Sequence, residues 1–240
     1  LVALAAAGRL TPADLFTLSR LRGRLMGERR AGDPGAMLAV LAPLADIERV
    51  VADQNLVLVI ANQNAPTQTV LSGATAEVER AAEAFAAAGL RAARLPVAAA
   101  FHSRFVADAA GPFREALEDV PLAPGSAPVY SNTTAGEYPD DGSAAKDLLA
   151  NQLAKPVAFA DEVRAMAAAG VRTFLEVGPG SVLTRLADAT LAGAGVGGAA
   201  AFAIDASGGR RPNVLELANA LARLAARGHR VTLAAWERGS

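Results

Sequence analysis

No cysteine occurs among the 240 residues, so a disulfide framework, a thiolate nucleophile and a zinc knuckle are all excluded. Charge of one sign is not in excess either. Twenty-three basic residues against 24 acidic ones leave a formal net charge of −1, and no global electrostatic footprint for nucleic acid or anionic lipid exists. An anionic ligand must therefore be held by a local site. Hydrophobic residues make up 52%, yet Arg, Asp, Gly or Pro cuts every apolar run before the roughly 18 residues that a membrane-spanning helix needs. The opening LVALAAAGRL carries no basic residue before its apolar stretch and so fits a secretory signal poorly. A soluble, cytoplasmic protein without membrane contact is expected. The opening also lacks Met and reads as a chain entered partway. Lysine is scarce, Lys146 and Lys155 being the only two, and imidazole equally so, with His102 and His229 alone.

What is present reads as α/β. Thr11-Pro12-Ala13-Asp14 is a helix start, and Leu15, Leu18, Leu21, Leu25 and Met26 recur at helical spacing, which predicts an amphipathic helix to about Arg30. Its polar face carries Arg20, Arg22, Arg24, Arg29 and Arg30, which by default are a solvated face. After Gly32-Asp33-Pro34-Gly35 the pattern becomes strand (37–41), helix (44–52), strand (56–61), strand (69–72), helix (75–89) and strand (91–97). This β-α-β-β-α-β order matches the ferredoxin-like split motif. Helices follow at 106–117, 145–153 and 161–169, with a strand near 128–130. The run Arg172 to Val177 reads as a buried parallel strand, and a helix (181–192), a Gly/Ala-rich loop, a strand (201–204) and a last helix (214–227) complete the chain. Such alternation argues for a mainly parallel sheet.

Only His102 and His229 can titrate near neutrality as general bases. His102 sits where a strand end meets a helix start, as a base or as a cap. His229, in Gly228-His229-Arg230, reads as a cation complementing the end of the last helix. The amide-rich run Ala61-Asn62-Gln63-Asn64-Ala65-Pro66-Thr67-Gln68 is a loop between strands that orients a substrate or closes a turn. Asn151-Gln152-Leu153-Ala154-Lys155-Pro156-Val157 is a helix end running into an extended segment. Glu176-Val177-Gly178-Pro179-Gly180 is a strand-to-helix turn, a weak signal for phosphate.

Together, in this order, LRGRLM, GAMLAV, ANQNAPTQTVLSG, AFHS, NQLAKPVAF and EVGPG resemble the malonyl-CoA:acyl-carrier-protein transacylase family. Within it, the likeness is to acyltransferase domains of type I polyketide synthases, including iterative enediyne-type ones. The resemblance implies a hydrolase-like large sub-domain with a mainly parallel sheet (1–32 and 98–208), a small ferredoxin-like sub-domain (33–97), and a C-terminal helix and linker (209–240). It implies that His102 is the catalytic base and that the backbone carbonyl of Gln152 orients it. Arg22 then clamps the malonyl carboxylate, and Asn62, Asn64 and Phe101 line the cleft. A Phe before the His goes with malonyl selection in this family; Ala99, where the usual malonyl motif has His, leaves room for an unusual extender. No metal and no bound cofactor are implied. The substrate is malonyl-CoA, and the partner is an acyl carrier protein bearing phosphopantetheine, with a ketosynthase and other domains in the same polypeptide. The family's GHSxGE elbow is absent, no GxSxG occurring around any serine, and it is expected just upstream of Leu1. The alternatives are a free-standing transacylase of fatty-acid synthesis and a non-catalytic remnant that serves as a docking scaffold.

Overall fold

The computed structural model describes residues 1–27 and 32–232. Arg29, Arg30 and the tail Trp236-Glu237-Arg238 lie outside them. The chain divides into two compact units, Leu1–Ala165 and Met166–Ser240.

The first unit opens with α1 (Val2–Ala6) and α2 (Pro12–Gly27). α1 follows no periodic signal long enough to read, but it buries Leu4. α2 starts as its sequence predicts. The Thr11 hydroxyl accepts the Asp14 N–H at 3.1 Å and donates to the Asp14 carboxylate at 2.6 Å, satisfying an N–H that the helix leaves free. Its apolar stripe, Leu18, Leu21, Leu25 and Met26, packs on a core built around Leu4, Phe113, Leu117 and Leu153. A fully buried leucine such as Leu18 stabilises by about 1.5–3 kcal/mol.

Next come β1 (Ala36–Leu41), α3 (Leu44–Asp53), β2 (Leu58–Ala65), β3 (Gln68–Gly73), α4 (Thr75–Ala87) and β4 (Arg91–Arg94). The sheet order is β2-β3-β1-β4 with every neighbouring pair antiparallel. Leu38 and Val40 of β1 are sealed beneath Ile47 of α3 and Val78 and Phe85 of α4. Two expectations are corrected. The amide run is not a loop, since Asn62, Gln63 and Asn64 lie within β2 and only Pro66-Thr67 turn. Two irregularities in the β2–β3 register let that polar stretch remain paired. The last strand stops at Arg94, because Pro96 has no N–H to continue the ladder.

A 3₁₀ turn (Arg104–Ala109) precedes α5 (Ala110–Ala116), where one α-helix was expected. Pro112 supplies no N–H for the preceding turn, which tightens instead. The proline-rich stretch that follows yields only β5 (Tyr130–Ser131) and β6 (Gly136–Glu137), an antiparallel pair. α6 (Gly142–Asn151) is capped by Asp141, which accepts the Ala144 N–H at 2.7 Å. α7 (Phe159–Ala168) contains the division between the units.

The second unit is β7 (Thr173–Pro179), α8 (Val182–Gly193), β8 (Ala200–Asp205) and α9 (Asn213–Ala226). β7 and β8 pair in parallel, which among the described residues is the only parallel pair of named strands; the other sheets are antiparallel. The Glu176 carboxylate accepts the N–H groups of Leu183 and Thr184, so the first turn of α8 is already capped by an anion from the chain itself. That occupation removes the phosphate reading of the turn. α9 ends in a left-handed Gly228, whose N–H reaches Ala225 O while the His229 N–H reaches Leu224 O. The His229 ring lies 2.9 Å from the Thr173 hydroxyl, a packing partner within the unit.

Candidate active site

His102 is one of three described non-glycine residues with a left-handed backbone, φ +55°. Such a conformation costs an ordinary side chain on the order of 1 kcal/mol or more and is held only by its surroundings. On one flank, the buried Ser103 caps the 3₁₀ turn, accepting the Phe105 N–H, and its hydroxyl reaches Ala100 O at 2.5 Å. On the other, Phe101 packs against Met37, Ala61 and Val70 of the four-stranded sheet.

The ring nitrogen Nδ1 of His102 faces two carbonyl oxygens, Gln152 at 3.2 Å and Lys155 at 3.1 Å. Both are free because α6 ends here and Pro156 cannot continue it. Carbonyls only accept, so Nδ1 carries the proton and Nε2 keeps its lone pair. Burial lowers the His102 pKa from its ordinary value; the two carbonyls pull it back up, and the Arg22 charge adds to the lowering.

Arg22 reaches the same place from α2. Its Nη2 donates to the side-chain oxygen of Gln152 at 3.2 Å. Burial lowers its pKa also, against a raising contribution from Tyr138, and the backbone nitrogen of Leu1 lies within its electrostatic reach. A guanidinium remains charged under such a shift, so the site holds a partly desolvated, fixed cation shaped to grip a carboxylate at two points.

Hydrogen bonds thus bring His102, Gln152 and Arg22 together, with Phe101 next to His102 in the chain. Asn62 sits where β2 runs alongside the segment after Lys155: Gln63 N donates to Val157 O and Val157 N to Ala61 O, both at 2.8 Å. Among the described residues, the side chains of Asn62 and Asn64 make no hydrogen bond to the other three.

Several residues of the neighbourhood escape sequence reading. The Lys155 carbonyl is a backbone acceptor, invisible except through the proline after it. Arg9 is buried and donates to three carbonyls, of Ala123, Tyr138 and Pro139. Tyr138, raised in pKa chiefly by burial, lies within electrostatic reach of Arg9, Arg22 and Glu162. Burial alone lifts the Glu162 carboxyl to about 7.

The acyl transferase domain model matches residues 1–224, and the chain belongs to that family. It is 37% identical over 190 residues to the malonyl CoA-acyl carrier protein transacylase of Bacillus subtilis (strain 168), covering 77% of this chain and 59% of that protein. It is 35% identical over 239 residues, 100% of its own length, to polyketide synthase GfsA of Streptomyces halstedii, but that is 3% of the synthase. Among solved structures, the acyltransferase domain from the second module of the salinomycin polyketide synthase superposes with a TM-score of 0.81 at 33% identity, over 97% of this chain and 54% of that one. The chain therefore spans little more than half of the transacylase and of the solved domain that it matches.

Proposed function

We propose that this chain is the greater part of an acyltransferase that moves a malonyl unit from malonyl-CoA, through an acyl-serine, to the phosphopantetheine thiol of an acyl carrier protein during polyketide synthesis in the cytoplasm. The serine is supplied outside these 240 residues. Gln152 carries this reading: one residue meets the imidazole with its backbone oxygen and the guanidinium with its side-chain oxygen.

His102 Nε2 takes the serine proton as the hydroxyl attacks the thioester, and returns it to the departing CoA thiolate. In the second half the same nitrogen takes the proton of the carrier-protein thiol as sulfur attacks the acyl-serine, and returns it to the departing serine oxygen, which restores the free hydroxyl and the neutral imidazole. The Gln152 carbonyl holds the tautomer and steadies the imidazolium, the part played by an Asp in hydrolase triads. Arg22 pairs with the free malonyl carboxylate, and Asn62 and Asn64 line the cleft. Phe101 fills the space of an α-methyl group, and such a steric block discriminates better than the ~1–3 kcal/mol that a methyl contributes by attraction. No bound cofactor or metal is needed for these steps.

In this reading, residues 1–32 and 98–208 form the hydrolase-like large sub-domain and 33–97 the small ferredoxin-like one, supported by the β2-β3-β1-β4 order. Residues 209–240 are the helix and linker that lead to further domains, a ketosynthase being another part of the polypeptide.

Intact-mass measurement on the full domain after exposure to malonyl-CoA and to methylmalonyl-CoA tests the proposal. A malonyl adduct is expected. Arg22→Ala should lower malonyl loading about 10–100-fold, the worth of a charge-assisted pair, and raise relative acceptance of acetyl. An unchanged preference for malonyl over acetyl removes Arg22 from the site.

A further inference from the structure

Ser72 lies in the second-last position of β3, between strands β2 and β1, and is fully buried. A hydroxyl so placed needs a partner, and it finds one outside its own sheet ladder: Ser72 Oγ donates to the carbonyl oxygen of Phe101 at 3.1 Å. That carbonyl belongs to the peptide joining Phe101 to His102. The torsion that is left-handed at His102 is the rotation between this peptide plane and the His102 Cα substituents.

We propose that Ser72 is a positioning residue, whose hydrogen bond pins the Phe101–His102 peptide plane and thereby holds His102 in the left-handed conformation that aims Nδ1 at the Gln152 and Lys155 carbonyls. The small sheet is then the jig on which the imidazole is set. Nearby contacts bring the same loop against the same strands. Ala100 N donates to Pro34 O at 2.9 Å, and Leu95 N to Met37 O at 2.9 Å. Gly35, left-handed at φ +72°, lets Ala100 approach so closely that a Cβ on it would stand 2.5 Å from the Ala100 Cβ and 2.6 Å from Gly73 O. These contacts seat residues 95–100, while the Ser72 bond acts one peptide before the imidazole. Removing the hydroxyl leaves a carbonyl unpaired and the peptide plane free to rotate toward the more common right-handed or extended conformations at His102.

The inference rests on the reading of His102 as the base, but its test does not use catalysis. The chain has only two imidazoles, so ¹⁵N-histidine NMR on the full chain gives two ring systems, assigned with His229→Gln. In the parent, His102 should show a single tautomer with the proton on Nδ1. In Ser72→Ala, a mixture of tautomers is expected, with the midpoint of His102 titration moving further down, because the two carbonyls that raise it no longer hold Nδ1. Val70→Ala, which opens the packing beneath Phe101 without touching the hydrogen bond, should leave the tautomer single. Should Ser72→Ala fail to fold, Ser72→Cys, with a longer and weaker donor, should give an intermediate population. A folded Ser72 variant with the parent's single tautomer and titration overturns the proposal, as does Val70→Ala reproducing the Ser72→Ala spectrum. Failure of malonyl loading in the parent would overturn the acyltransferase reading while leaving this spectrum unchanged.

Discussion

Gln152 serves two neighbours with two different oxygens, and the two services separate by mutation. Its backbone carbonyl, which faces the His102 ring, survives any side-chain substitution. Its side-chain carbonyl, which takes the Arg22 Nη2, does not. Gln152→Ala should therefore leave the His102 tautomer untouched while freeing the guanidinium to wander. Losing one hydrogen bond to a charged group costs about 1.5–3 kcal/mol at most, and an arriving carboxylate recovers part of it by replacing the lost partner. The expected result is a KM for malonyl-CoA raised by roughly threefold to tenfold with kcat close to the parent. Steady-state loading kinetics on the full domain check it. A fall in kcat with KM unchanged would show that the side chain acts through the imidazole instead.

At the scale of elements, the loop bearing His102 depends on how close two backbones can come. Gly35 is left-handed and faces the Ala100 Cβ and the Gly73 carbonyl at distances no side chain tolerates. Gly35→Ala must strain φ and push backbone apart at once, and should destabilise the first unit by about 1–3 kcal/mol, read as a lower urea midpoint. A midpoint equal to the parent's would mean that the contact is looser than the structure has it. This dependence is also where sequence reading stops. The order β1-α3-β2-β3-α4-β4 was legible because alternation and helical spacing are local, and the start of α2 because Thr11, Pro12 and Asp14 act within one turn. His102, Arg22 and Gln152 were legible as a set through motifs that resemble a family, since 130 positions separate the donor on α2 from the acceptor at the end of α6. Ser72 was not. Nothing in Thr-Val-Leu-Ser-Gly distinguishes a serine that packs from one that grips a carbonyl 29 positions away. The strand assignment failed at Asn62 to Asn64 because amide side chains signal turns by composition, whereas here the backbone of β2 finds partners on both sides, β3 and the segment at Val157.

For the molecule as a whole, two half-buried groups of the first unit set opposing demands on pH. Glu162, raised from 4.5 to about 7 by burial, binds a proton more tightly when folded. Its contribution to stability is complete below pH 4.5 and is lost as pH rises through 7, because the unfolded chain ionises first. His102, lowered chiefly by burial, binds its proton more tightly when unfolded. Its contribution is complete above the free-imidazole value of about 6.5 and is lost as pH falls below it toward the folded pKa. The two slopes oppose each other in the mildly acidic range, and the parent should change little there. Glu162→Gln removes only the first slope. The variant should gain on the order of 1–2 kcal/mol over the parent at pH 8, after allowance for the water still touching a half-buried carboxyl, and the difference should shrink toward pH 4.5. Asp205, among the described residues the one group of the second unit with a shifted pKa, is lowered chiefly by its hydrogen bond from Ser207, so it titrates in a more acidic range than either and should leave the comparison between pH 5 and 8 unaffected. Urea unfolding of parent and Glu162→Gln at pH 5, 6, 7 and 8 decides the matter. A gap between the two that fails to widen with pH would mean that the carboxyl meets water freely and that burial places no demand on its charge.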